Sequence, residues 1–358
     1  MSQSTFMKRF FVTAIGSVLL GMAVAAGTPA SAAPAGDIVD REVAFMVRNT
    51  NTSGVPCPTD GATYQVRGHL TGPAGKLAST SADSVSLYLH GLELGEWFWR
   101  FGDAPGYNHV REMAAQGHVS VAIDRIGYGS SGQPPGLLSC VGGQADIAHQ
   151  IVQQLRSGRY TAPEGAVAFK RVALLGHSLG GAIAQVATYS YGDVDALGVL
   201  SYSDLALSGE SLMGALSWGA NCLTGGQRSV AGAPGYAYLT PSLASYQDNF
   251  LAQSPLDVRG PASALRGLNP CADMATPAEA TAIDLTRLGQ VTVPVLTVVG
   301  GRDRVFDVDR ARLQGNLFTG THDVTTHVID QATHGLTLEP TAVEFRHVLG
   351  DWLTARGF

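Results

Sequence analysis

A serine hydroxyl attacks a carbonyl only when a neighbouring base takes its proton, and the stretch Gly176-His177-Ser178-Leu179-Gly180-Gly181 is of a kind that presents one. It follows an apolar run, 171–175, that reads as a buried strand, and precedes Ala182-Ile183-Ala184-Gln185-Val186-Ala187, which reads as a helix. Strand, sharp turn and helix suit the pattern G-x-S-x-G, in which the serine takes a strained backbone conformation and the glycines let strand and helix approach. The hydroxyl would stand at the top of a sheet, with the N–H of Leu179 and the positive end of the helix beside any oxyanion formed there. Asp303 and His334 follow in that order, each just beyond the carboxyl end of an expected strand. Strand ends along one rim of a parallel sheet converge in space. An imidazole, with an ordinary pKa of about 6.5, can take the serine proton and return it, and an aspartate on the other ring nitrogen would hold the productive tautomer. His322 precedes its strand, His327 sits inside one and His347 lies in the closing helix, so His334 is the best-placed base.

The elements needed to position these residues are legible on either side. The run 84–89 reads as a buried strand leading into His90-Gly91-Leu92, where the glycine lets the backbone turn and aim the Leu92 N–H at the serine as a second oxyanion donor. His90 reads as a structural residue that holds the loop through hydrogen bonds. Trp97-Phe98-Trp99-Arg100-Phe101 either packs beneath that loop or lines an apolar substrate pocket. Earlier, 43–47 and 64–68 read as an antiparallel entry to the sheet; a helix near 107–116 and a strand at 118–123 follow the aromatic run.

Residues 127–132 spell a literal G-x-G-x-x-G, but Gln133-Pro134-Pro135-Gly136 stands where a dinucleotide site needs a helix to open, so nucleotide binding is rejected. The next helix is expected at 143–157, and after the serine turn another buried strand at 196–202. From 205 to 292 Gly, Ser, Pro and Ala are frequent, no strand is expected, and the stretch is too long for an ordinary connection; it reads as a cap or lid with helices of its own. The sheet resumes at 293–299, with a helix-like stretch at 308–317 that Asp307 and Asp309 would open, a strand at 324–329 and a closing helix at 340–354. Strands alternating with helices predict an α/β fold with a mostly parallel sheet covered on both faces.

The 358 residues are 45% hydrophobic and 15% charged, enough to bury a large core. Lys8 and Arg9 precede an apolar run that ends in Thr28-Pro29-Ala30-Ser31-Ala32-Ala33, the layout of a secretory signal cleaved after Ala32. No other run is long and apolar enough to cross a bilayer, so an exported product without stable membrane insertion is expected. Without Lys8 and Arg9, 21 basic residues stand against 29 acidic ones, a balance that argues against a nucleic-acid partner. Three lysines against abundant Ala and Gly suggest a bacterial source. Cys57, Cys140, Cys222 and Cys271 have no C-x-x-C spacing, and in an exported chain they favour two disulfides over zinc. Three pairings are possible; Cys57 with Cys140 and Cys222 with Cys271 is preferred, because the latter two share the inserted segment. With no P-loop lysine motif and no H-E-x-x-H, no cofactor or metal is expected.

Taken together, His90-Gly91-Leu92, Asp124 to Gly129 with Ser131, the turn from Gly176 to Gly181, Gly301-Arg302-Asp303 and His334-Gly335 resemble the α/β-hydrolase fold family, and the turn resembles that of its serine esterases and lipases. With the signal peptide at 1–32 and the cap at 205–292 set apart, the hydrolase core is expected at 33–204 and 293–358. The resemblance implies a catalytic Ser178, Asp303 and His334, with Leu92 and Leu179 as backbone oxyanion donors. Asp204 is the rival acid, because some lipases of this fold carry theirs after the preceding strand. The oxyanion loop is of the His-Gly-Leu and not the His-Gly-Gly-Gly type, and serine at the turn sets the chain apart from relatives that use aspartate there. The expected activity is hydrolysis of a small-molecule or lipid ester through an acyl-enzyme. A peptidase or amidase of the same fold is the alternative, followed by a perhydrolase and a ligand-binding protein with negligible turnover.

Overall fold

Among the described residues, eight strands form one sheet and three short ones a second. The computed structural model describes Met1 and residues 37–205, 207–209 and 218–358, and Ala35–Phe358 is one unit. The expected signal segment lies, apart from Met1, outside the described residues. In chain order the first half comprises β1 (Ile38–Arg48), β2 (Thr63–Pro73), β3 (Ser81–Leu89), α1 (Trp97–Arg100), α2 (His109–Ala115), β4 (Ser120–Ile123), α3 (Val141–Ser157), β5 (Ala168–His177), α4 (Leu179–Tyr191) and β6 (Ala196–Leu200). After β6 come β7 (Arg228–Val230), β8 (Ala233–Ala237), α5 (Leu243–Phe250), α6 (Leu256–Ala264), β9 (Asn269–Pro270), α7 (Cys271–Ala275) and α8 (Pro277–Arg287). The last part holds β10 (Val295–Gly300), α9 (Val308–Ala311), β11 (Val324–Ile329) and α10 (Ala342–Ala355).

Across the large sheet the order is β1-β2-β4-β3-β5-β6-β10-β11; from β4 to β11 the strands run parallel, and β2 runs antiparallel to both β1 and β4. β4, β6 and β10 are buried at every position, as strands covered on both faces must be. Alternation along β5 divides the core: Val172 and Leu174 pack into a cluster with α3 and α4, while Ala173 and Leu175 pack into another with α2 and α10. The chain winds outward in both directions from β3 and β5, a reversal that opens a crevice at their carboxyl ends. Leu89 pairs with Gly176, His177 with Leu200, and Gly300 with Ile329. The loops carrying 90–92, 178, 303 and 334 therefore leave the same rim.

Between β6 and β10 the structure departs from the sequence reading, which expects helices and no strands. The helices are there, but so is a small antiparallel sheet, β7-β8-β9. Its strands have 3, 5 and 2 residues, too short for a period-2 pattern to register, and β7 and β8 join through Ala231 and Gly232, both at positive φ. The expected helix at 308–317 is likewise divided into α9 and a 3₁₀ turn, Gln314–Leu317. Asp307 caps α9 by accepting the N–H of Arg310 at 3.1 Å. Two disulfides, Cys57–Cys140 and Cys222–Cys271, match the preferred pairing. Among the described residues no helix is long and apolar enough to cross a membrane.

Candidate active site

Ser178 stands between β5 and α4 with φ 53 and ψ −126, a conformation that costs an L-residue on the order of 1–3 kcal/mol. The turn is tight enough that a Cβ on Gly176 would run into the carbonyl of Gly180, so glycine is required there. The Ser178 N–H donates to Leu200 O at 2.8 Å, which ties the turn to the neighbouring strand. Gly91 lies against it: a Cβ there would sit 2.8 Å from Ser178 Cβ and 3.2 Å from His177 Nδ1. Among the described residues, neither the Leu92 nor the Leu179 N–H has a hydrogen-bond acceptor.

His334 is fully buried, and its Nδ1 is 2.8 Å from Asp303 Oδ2. The other carboxylate oxygen, Oδ1, accepts the N–H groups of Val305 (2.8 Å) and Phe306 (3.1 Å), so Asp303 cannot rotate away from the ring without losing both. The His334 carbonyl accepts Nε2–H of His177 at 2.7 Å, joining the histidine loop to the residue just before Ser178. Burial, and next the neighbouring His334, push the His177 pKa well below the ordinary value, so that ring is a neutral donor. Glu339 closes the same loop by accepting the Thr333 N–H at 2.7 Å and the Thr333 hydroxyl. Phe250 of α5 covers His334 edge-on, with ring centroids 5.1 Å apart. The Nε2 of His334 is buried without a hydrogen-bond partner. Ser178 and His334 therefore lie on one rim, with no hydrogen bond between the Ser178 hydroxyl and His334 Nε2.

Asp204 is held elsewhere. Its carboxyl accepts Gln185 Nε2 (2.6 Å), Gln314 Nε2 (2.7 Å) and the Tyr202 hydroxyl (2.8 Å). It shares Gln185 with Asp284 of α8, which also takes the Tyr189 hydroxyl at 2.8 Å. Burial and the adjacent Asp204 carboxylate push Asp284 up to about 8.

His90 works through the loop: Nδ1–H donates to Gly91 O at 2.8 Å and Nε2 accepts the Arg125 N–H at 3.0 Å. Of the aromatic run, Phe98, Trp99 and Phe101 are core residues, with the Phe98 ring tilted against that of His177 at a centroid distance of 4.4 Å. Trp97 faces a cleft of about 660 Å³ lined also by Glu96, Asp124, Ser130, Tyr238 and Arg266. This cleft is of mixed polarity, not the expected apolar pocket, and neither Ser178 nor His334 lines it. The 127–132 loop folds round Asp124, whose Oδ2 accepts the N–H (2.8 Å) and the hydroxyl (2.9 Å) of Ser130. Among the described residues no group of three His, Cys, Asp or Glu is placed to hold a metal ion.

Buried charged and polar partners are what sequence reasoning misses. Arg125 donates to His90 O and pairs with Asp273, while Glu93, Asn269 and Glu339 are buried with assigned partners. In sequence each passes for an ordinary surface residue, and only the tertiary contact reveals it. The one local hint is Arg125 and Glu93 lying inside runs otherwise fit for burial.

A model of the alpha/beta hydrolase family matches residues 87–344. Among solved structures, a thermophilic esterase from Thermogutta terrifontis is similar at 17% identity and TM-score 0.61, covering 88% of this chain and all of that one. An enol-lactonase from Burkholderia xenovorans is similar at 16% identity and TM-score 0.54, covering 81% of this chain and 97% of the other. A monoacylglycerol lipase from Paleococcus ferrophilus is similar at 17% identity and TM-score 0.55, covering 76% and 95%. No curated protein matches the chain.

Proposed function

The chain belongs to the alpha/beta hydrolase family, and from that premise we propose that it is a serine hydrolase that cleaves carboxylic esters through Ser178, His334 and Asp303. The observation that carries this reading is the Asp303–His334 pair at 2.8 Å, docked through the His334 carbonyl onto the residue before a strained serine. His334 Nε2 takes the Ser178 proton as Oγ bonds to the ester carbon, and the carbonyl π pair moves to oxygen. The N–H groups of Leu92 and Leu179 receive that oxyanion, each worth roughly 3 kcal/mol of barrier. Collapse expels the alcohol, protonated by His334, and water then repeats the sequence on the acyl-enzyme. Esters are favoured over amides because the similar structures include an esterase, a lactonase and a lipase. Residues 205–292 act as a cap on a core built from 33–204 and 293–358, and 1–32 direct export, in keeping with two disulfides.

Hydrolysis of p-nitrophenyl esters of increasing chain length tests the reading. Ser178→Ala is expected to fold normally and lose more than about 10³-fold in kcat, as removal of a nucleophile does. Turnover at the wild-type rate would eliminate the mechanism.

A further inference from the structure

Glu93 follows the oxyanion loop directly, and it is unusual on two counts: its φ is 59, and its side chain is wholly buried. Among the described residues, every hydrogen-bond partner of Glu93 comes from the segment between β6 and β10. Its carboxylate accepts Arg266 Nη2 (2.8 Å) and Nε (3.1 Å), the Thr240 hydroxyl (2.8 Å) and the Thr240 N–H (3.2 Å). Its backbone N–H donates to Asn269 Oδ1 at 2.6 Å, and its carbonyl accepts the Gly267 N–H at 3.1 Å. Asn269 is itself anchored, donating to Ala237 O at 3.1 Å, and Arg266 lies 4.0 Å over the Tyr238 ring.

The geometric consequence falls on Leu92. A peptide unit is planar, so holding its C=O fixes the direction of its N–H. The Gly91 carbonyl, in the same plane as the Leu92 N–H, is held by His90 Nδ1 at 2.8 Å and Arg125 Nη2 at 3.4 Å. On the other side, the plane of Leu92 C=O and Glu93 N–H is held by Asn269. The proposed oxyanion donor is thus fixed from both flanks, from the core by His90 and Arg125 and from the inserted segment by Asn269, Arg266 and Thr240.

We infer that the inserted segment sets the oxyanion amide of Leu92 through Glu93, which makes Glu93, Asn269 and Arg266 positioning residues for hydrolysis. This rests on the reading of Ser178 as nucleophile. Residues 237–269 then belong to the rigid part of the catalytic apparatus and stay in place during turnover. An alternative in which Glu93 and its partners only hold the fold together predicts lost stability without selective loss of transition-state stabilisation.

The experiment compares wild type with Glu93→Gln, Asn269→Ala and Arg266→Lys, measuring Tm, kcat and KM on a p-nitrophenyl ester and Ki for an alkyl trifluoromethyl ketone. That ketone accepts Ser178 Oγ at its carbonyl carbon, the serine proton passes to His334, and the carbonyl oxygen becomes an anion that needs the Leu92 N–H. Displacing a donor by a fraction of an ångström is expected to lower kcat about tenfold or more, against the 10²–10³ of outright removal, with KM within about threefold. Ki should rise in proportion to the loss in kcat. Arg266→Lys, which keeps the charge but not the fork, should fall between wild type and Glu93→Gln. If Asn269→Ala does not fold, the isosteric Glu93→Gln decides alone. Ser178-dependent turnover with kcat and Ki unmoved in folded Glu93→Gln would overturn the inference and leave the esterase reading intact. Turnover in wild type that survives Ser178→Ala would overturn the esterase reading, and the inference with it.

Discussion

Asp303 and Asp204 both lie a few residues past the carboxyl end of a parallel strand, and their partners separate them. Asp303 spends one oxygen on His334 Nδ1 and the other on two backbone N–H groups, whereas Asp204 is enclosed by Gln185, Gln314 and Tyr202. Asp303→Asn would present an amide N–H to the ring and reverse its tautomer, so kcat should fall on the order of 10³–10⁴-fold. Asp204→Asn keeps the packing and should change kcat by less than about fivefold; steady-state rates on one ester would check both, and the reverse ranking would move the acid role to Asp204. Ser178, Asp303 and His334 could be singled out from sequence because each sits where a strand pattern stops. Glu93, Arg125, Asn269 and Glu339 could not, because a buried polar or charged group becomes intelligible only once the partner that satisfies it is known.

At the level of elements, the parallel strands and the helices beside them were legible because long buried runs and amphipathic stretches carry strong periodic signals. The β7-β8-β9 sheet was not, since its hydrogen bonds join residues as far apart as Tyr236 and Pro270. The attachment of α8 has a consequence for pH. Asp284 of α8 faces Asp204, Gln185 and the hydroxyls of Tyr189 and Tyr202, with Arg287 the nearby cation acting on Tyr189. With its folded-state pKa raised to about 8, Asp284 binds a proton that the unfolded chain has already lost above about pH 4. Its contribution to stability is therefore complete below about pH 4 and is lost as pH rises to about 8. Asp284→Asn is neutral throughout, so its Tm relative to wild type should climb between pH 5 and pH 9. A constant difference would show that the carboxyl pair does not titrate in that range.

For the molecule as a whole, the disulfides close loops of 83 and 49 residues, one before β6 and the other between β6 and β10. On the loop-entropy account they contribute about 4.5 and about 4 kcal/mol respectively by restricting the unfolded chain. Cys57 and Cys140 both lie outside residues 205–292, so Cys57→Ala with Cys140→Ala should lower Tm while sparing kcat on folded protein. Cys222→Ala with Cys271→Ala acts beside β9 and α7, close to Asn269 and Asp273, and should lower both. Thermal melts paired with ester kinetics would distinguish the two, and equal losses of kcat would contradict the division.

The most direct test of the central claim is a burst experiment with a slowly deacylated p-nitrophenyl ester, acid-quenched and mapped by mass spectrometry of the peptides. An acyl-enzyme on Ser178 requires one equivalent of p-nitrophenol per chain in the burst and the acyl mass on Ser178, both lost in Ser178→Ala. An acyl group on any other residue, or a burst that persists in Ser178→Ala, would contradict it.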